Sequence, residues 1–162
     1  MPAPTQNQLV AIARVLNRFY PEKWAITGSV ALVLQAKVSQ VSSGIWPGDL
    51  DIIIDTDQFD TAVMLLASKL GVELKECPGP RDVHAEIKYE EVGIDLLHPG
   101  AERGDLSNIT RMKLDGVQVN VVGLSALRAR LVMRIDDWGG NKQDQAREDL
   151  QVIDKVAEAR GY

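Results

Sequence analysis

Gly48-Asp49-Leu50-Asp51-Ile52-Ile53-Ile54 constrains this chain more than any other stretch. Successive side chains of a β-strand point to opposite faces, so Asp49 and Asp51 share one face while Leu50, Ile52 and Ile54 take the other. The apolar face reads as a strand packed on a core. The acidic face sets two carboxylates side by side, and such a pair repels itself unless a divalent cation converts the repulsion into shared coordination.

For an arbitrary Asp-x-Asp the better reading is a solvated strand edge. The residues upstream change the balance. Trp24-Ala25-Ile26-Thr27 reads as a short apolar strand, and Gly28-Ser29 then turns into the apolar helix Val30-Ala31-Leu32-Val33-Leu34. A strand-to-helix turn built on glycine leaves backbone N–H groups at a helix start, a ready site for an anion or a phosphate. The Ser29 hydroxyl either adds a hydrogen bond to that anion or caps the helix. A phosphate cradle followed by a paired-carboxylate strand is the layout expected for a metal–nucleoside triphosphate.

Gly28-Ser29 at a helix start followed by Asp49-x-Asp51 on the next strand resembles the nucleotidyltransferase superfamily of DNA polymerase β-like fold, whose pattern adds a third acid on a later strand. The matching third acid is Asp95, in Val92-Gly93-Ile94-Asp95-Leu96-Leu97. A charge inside such an apolar run is costly unless it is paired or metal-bound, although a solvated strand face also accommodates it. The chain is most similar to the small bacterial branch that includes antibiotic nucleotidyltransferases and toxin-type nucleotidyltransferases. The likeness spans roughly residues 22–97. It departs from the usual spacing between Val30 and Gly48, which is long. The excess falls in the polar, serine-rich Lys37-Val38-Ser39-Gln40-Val41-Ser42-Ser43-Gly44 and is read as a loop rimming the site, since surface insertions cost little free energy.

The resemblance implies transfer of a nucleoside monophosphate from an NTP to a hydroxyl, with Mg2+ or Mn2+ as cofactor. Asp49 and Asp51 would bridge two ions about 4 Å apart. Asp95 would hold the ion on the acceptor side and take the acceptor's proton, while Gly28 and Ser29 would bind the β- and γ-phosphates. Cations near the triphosphate would come from the C-terminal helices. Arg130 is the first candidate there, with Lys142 and Arg147 behind it.

Composition bounds the rest. With 162 residues the chain suits one sizeable hydrophobic core, giving one domain over 1–162 with its core part at about 22–122 and a C-terminal helical part at about 124–160. The apolar runs are too short to span a bilayer, and the N-terminus lacks a secretory pattern. The expected compartment is the cytoplasm. Cys77 is the only cysteine, which excludes an intrachain disulfide and a cysteine-rich zinc site. A net charge of −5 disfavours a protein whose main task is gripping nucleic acid, although Arg128, Arg130 and Arg134 recur along one helix. The expected acceptor is therefore a small molecule, with a tRNA, a protein, or a non-catalytic nucleotide-binding role as alternatives. A homodimer completing a shallow acceptor pocket is an expectation from size alone.

Periodicity and breakers predict the element order. A helix covers 6–18, strands cover 24–27 and 50–55, and a helix over 59–70 is stopped by Gly71. A short strand at 72–76 precedes the break Cys77-Pro78-Gly79-Pro80. Hairpins follow at 85–97 and at 112–121, the second turning at Asp115-Gly116. Leu124, Leu127, Leu131 and Ile135 stripe one helix, ended by Gly139-Gly140. A last helix, capped by Asn141 and reaching about 160, buries Ala146, Leu150, Ile153, Val156 and Ala157. The fold class is α/β, a two-layer mixed sheet flanked by helices, with C-terminal helices. His84 and His98 read as surface residues beside turns, and Asp136-Asp137 as solvated. Trp24 and Trp46 read as core or rim packing, with Trp46 also placed to stack on a base.

Overall fold

The computed structural model of the protein describes residues 3–45, 47–76, 83–100 and 104–161. The readings of Trp46 and Cys77, and of the side chains of His84 and Arg134, lie outside the described residues.

The chain opens with α1 (Gln6–Phe19), started by a capping box in which Thr5 and Gln8 satisfy each other's backbone N–H groups. β1 (Trp24–Thr27) leads directly into α2 (Gly28–Val38), and β2 (Leu50–Ile54) follows the long connection. A single 3-10 turn at Thr56–Gln58 opens onto α3 (Phe59–Leu70), which ends at Gly71 with φ +70, a left-handed cap that glycine adopts without steric cost. Then come β3 (Leu74–Glu76), β4 (Val83–Tyr89), β5 (Val92–Leu97), β6 (Ile109–Leu114) and β7 (Val117–Val122). Helices α4 (Leu124–Arg134) and α5 (Gly140–Ala159) complete the chain.

Among the described residues, seven strands form one sheet in the order β3-β4-β5-β2-β1-β7-β6. It is mixed: β2 runs parallel to β5 and β1 parallel to β7, while the other neighbours are antiparallel. Every residue of β1 is buried, as are Leu50, Ile52, Ile53 and Ile54 of β2, so the sheet centre is covered on both faces. Helix α1 packs on β7 and α3, whereas α2 packs on β1, β2, β7, α4 and α5. Trp24 is fully buried and its indole N–H donates to Asn17 Oδ1 at 3.1 Å, which satisfies its one polar atom. Trp24 is thus core.

Several boundaries differ from the sequence reading. Helix α2 runs on through Lys37 and Val38, so the rim loop begins later than its composition implied. Helix α4 stops at Arg134, five residues before Gly139, which leaves Asp136 and Asp137 exposed in a turn and not on a helix. Gly139, not Asn141, occupies the cap position of α5. In α5 Val152 is buried, while Leu150 and Ala157 are only partly so. His98 is half-buried beside its turn, with its ring 4.3 Å from that of Phe59, because β5 delivers it against the start of α3. Among the described residues no helix is long and apolar enough to cross a membrane.

Candidate active site

Strand register assembles the acidic half of the site. Asp51 of β2 is the direct partner of Asp95 on parallel β5 and of Thr27 on antiparallel β1. Paired residues on neighbouring strands project to the same face, so the two carboxylates stand side by side. Two residues back along β5 lies Gly93, where a Cβ would come within 3.0 Å of Asp49 Oδ1. The missing side chain at position 93 makes room for the Asp49 carboxylate on that same face. All three aspartates are half-buried.

The chain leaves β1 through Gly28, at φ +72, in close contact with this pair: a Cβ there would lie 2.5 Å from Asp51 Oδ2. Glycine is required twice over, for the left-handed backbone and for the close approach. Ser29 does not cap α2. Its Oγ accepts the Gly48 N–H at 3.2 Å, tying the helix start to the residue just before Asp49. A hydroxyl that accepts one bond still carries its own proton, so Ser29 can donate to a phosphate.

The basic half comes from the C-terminal helices. A cavity of about 260 Å³ is lined by Gly28, Ser29 and Asp51 from the sheet side, and by Arg130, Trp138 and Lys142 from the helical side. Arg130 is half-buried, with its guanidinium carbon 5.6 Å from the Trp138 ring centroid; Lys142 Nζ lies 6.0 Å from the same ring. Those distances fall within the range where an indole face attracts a cation. Arg147 points elsewhere: it is exposed and pairs with Asp144 at 3.4 Å. Arg128 is also exposed, 3.9 Å from Asp154, so Arg128 and Arg130 form no shared basic patch.

Three lining residues escaped the sequence reading: Trp138, Gln145 and Asp149. Lys142, Gln145, Ala146 and Asp149 follow the i, i+3, i+4, i+7 spacing of one helix face, so the buried Ala146 was the signal that marked its neighbours. Burial raises the Asp149 pKa, against the lowering effect of the hydrogen bond it accepts from Gln145 Nε2 at 2.8 Å; Glu148 nearby adds to the rise. Helix α5 is held in place at its far end by Arg160, whose guanidinium donates to Ser39 Oγ (2.8 Å) and to Gln35 Oε1 (2.6 Å). The fully buried Gln35 completes the lock by donating to Thr110 Oγ1 and to the Val122 carbonyl, each at 3.0 Å.

The carboxylates suit a hard divalent cation, although among the described residues no three acids, histidines or cysteines are gathered around one point. Mg2+ does not need such a cage, because it is commonly held by one or two carboxylates together with substrate phosphates and water. The register pair Asp51–Asp95, with Asp49 alongside, supplies that donor set.

No protein-family model matches this sequence, and no curated protein matches it either. Solved structures do resemble it. ANT(2")-Ia, crystallised in complex with adenylyl-2"-tobramycin, superposes with a TM-score of 0.60 over 96% of this chain and 94% of its own, at 13% identity. An antigenic nucleotidyltransferase-like protein from Paracoccidioides brasiliensis gives 0.66 over 91% of this chain and 74% of its own, at 18% identity. A Thermotoga maritima protein assigned to the nucleotidyltransferases gives 0.54 over 93% and 96%, at 16% identity. The chain has the nucleotidyltransferase fold.

Proposed function

We propose that this protein is a metal-dependent nucleotidyltransferase that moves a nucleoside monophosphate from an NTP onto a hydroxyl of a small molecule. The observation that carries the reading is the cavity where the Gly28-Ser29 helix start, Asp51, Arg130 and Lys142 meet, brought from four separate elements and turns of the chain. The arrangement has the parts that phosphoryl-type transfer needs, which are charge neutralisation and alignment more than covalent chemistry.

In this reading the N–H groups at the start of α2 and the Ser29 hydroxyl hold the β- and γ-phosphates. Arg130 and Lys142 balance their charge from the opposite wall, and Trp138 fixes where those two cations sit. A divalent ion held by Asp51 and Asp95, with substrate phosphates and water completing its shell, would offset phosphate charge and make the acceptor hydroxyl more acidic. Asp95 receives the hydroxyl proton as the acceptor oxygen bonds to the α-phosphorus. The bond from that phosphorus to the bridging oxygen breaks, and pyrophosphate leaves. The net charge of −5 supports a small acceptor over tRNA, since a phosphate backbone is held mainly by basic surface.

A thermal-shift panel of the four ribonucleoside triphosphates, with and without Mg2+ or Mn2+, tests the reading. A ligand at ~100 times its Kd that binds only the folded state adds about 2.7 kcal/mol of stability. Metal-dependent stabilisation that disappears in Asp51→Asn is expected. A variant that binds nucleotide and metal like the parent protein would show that the site lies elsewhere.

A further inference from the structure

The cavity wall opposite the sheet is not uniformly basic. Helix α5 presents Lys142, then Gln145, then Asp149 along one face, all lining the same space as Gly28 and Ser29. Lys142 and Asp149 are separated by seven residues, which is about 10 Å along a helix axis. A carboxylate repels phosphate, so a triphosphate held between the helix start of α2 and Lys142 keeps its charged end away from Asp149. The part of a nucleotide that lies this far from its phosphates, across the ribose, is the base.

The chemistry of the pair fits a base edge. Gln145 uses its amide N–H on one Asp149 oxygen, which orients the carboxylate. A carboxylate accepts on both oxygens, and the Gln145 carbonyl is a further acceptor. Burial penalises the ionised acid, and ligand N–H groups that bond to it would restore the lost solvation. The Asp149 carboxylate therefore calls for N–H donors and repels a carbonyl oxygen set against it.

We propose that Asp149, oriented by Gln145, reads the nucleobase of the bound triphosphate and favours a base with an exocyclic amino group over uracil. The inference rests on the nucleotide-binding reading above and adds a specificity determinant to it. Uracil offers one N–H between two carbonyls, whereas adenine, cytosine and guanine each present an amino group that a carboxylate can accept from.

Calorimetric titration of the full chain with ATP, CTP, GTP, UTP and inorganic tripolyphosphate, all with Mg2+, tests this on the parent protein and on Asp149→Asn. The best amino-bearing triphosphate should bind the parent about tenfold or more tightly than UTP, the discrimination of one good hydrogen-bonded pair. In Asp149→Asn that margin should collapse while tripolyphosphate binding is kept, because the asparagine amide can donate to a uracil carbonyl. Gln145→Ala, which keeps the carboxylate but frees its rotamer, should narrow the margin too, and it serves if Asp149→Asn fails to fold. An unchanged ranking in the variants overturns the inference and leaves the nucleotide site standing. Absence of binding by every triphosphate and by tripolyphosphate overturns the site reading and this inference together.

Discussion

The two walls of the cavity are built by different means. On the sheet side, Asp51 is placed by the hydrogen-bonded ladder between β2 and β5, which pairs it with Asp95, and Gly28 by the turn out of β1. On the helical side, Arg130, Trp138, Lys142 and Asp149 ride on α4, α5 and the turn between them, and the far end of α5 is pinned through Arg160. A ladder cannot shift by one residue without turning every buried isoleucine of β2 to the wrong face. A helix held by side-chain contacts can tilt by small amounts at modest cost. In the proposed function the chemistry falls to the rigid wall and ligand fitting to the adjustable one.

Breaking the sheet wall should produce the largest effect. Asp51→Asn keeps the shape but removes charge at the centre of the acidic face, and nucleotide transfer should fall by about a hundred- to a thousandfold, the scale seen when one preorganised electrostatic contact is lost. Circular dichroism and melting temperature should stay near those of the parent. A fully active variant would remove Asp51 from the mechanism.

Gly28→Ala attacks the same wall through sterics. Its Cβ would sit 2.5 Å from Asp51 Oδ2 on a backbone at φ +72, so both conformation and contact oppose it. The left-handed backbone alone should cost about 1–2 kcal/mol of stability, measured by urea unfolding, with a loss of triphosphate affinity. Gly71→Ala, also left-handed but with nothing within 4 Å of the added Cβ, is the control: a similar stability loss with binding retained.

On the helical wall the expected effects are smaller and separable. Arg160→Ala removes the guanidinium bonds to Ser39 and Gln35 and leaves the buried Gln35 carbonyl groups short of a donor, costing about 1–3 kcal/mol. Triphosphate affinity should weaken with it, while the β2–β5 amides keep their protection in hydrogen exchange. Loss of protection there would show that the two walls are one cooperative unit.

The smallest effect sharpens the comparison by pH. Burial holds the Asp149 pKa above its unfolded value, so the folded protein binds the extra proton. Stability from this group is fully present below the unfolded pKa and is lost as pH rises through the raised folded one. Asp149→Asn should therefore melt above the parent at neutral pH, and the gap should close as pH falls toward the ordinary carboxylate range. A gap independent of pH would mean that the half-buried acid carries no such penalty.

Much of the sheet wall was legible in the chain. Alternation of Asp49 and Asp51 with Leu50 and Ile52 needs only the period of two to be read, and Asp95 stands out as a lone charge among apolar neighbours. The β2–β5 pairing was not legible, because parallel register is set by long-range packing. The helical wall was less visible. Lys142 and Arg130 could be named as basic residues on helices, but Trp138 lies in a turn created by the early end of α4, and Asp149 looks like any solvated acid until α5 is docked. The ring contact of His98 with Phe59 was hidden for the same reason, since the two lie 39 positions apart in the chain.

The sequence by itself determined what depends on neighbours a few residues apart: the acidic face of β2, the glycine turn into α2, the Asp-Gly hairpin and the apolar stripes of the helices. Tertiary structure decided which of those local pieces face one another. It set Asp51 opposite Asp95, emptied the space above Asp49 at Gly93, and swung Lys142, Gln145 and Asp149 over the start of α2. The physical reason is range. Backbone sterics and side-chain periodicity act within a strand or a helical turn, whereas the meeting of two walls is selected by burial of the whole core, to which no single segment holds the key.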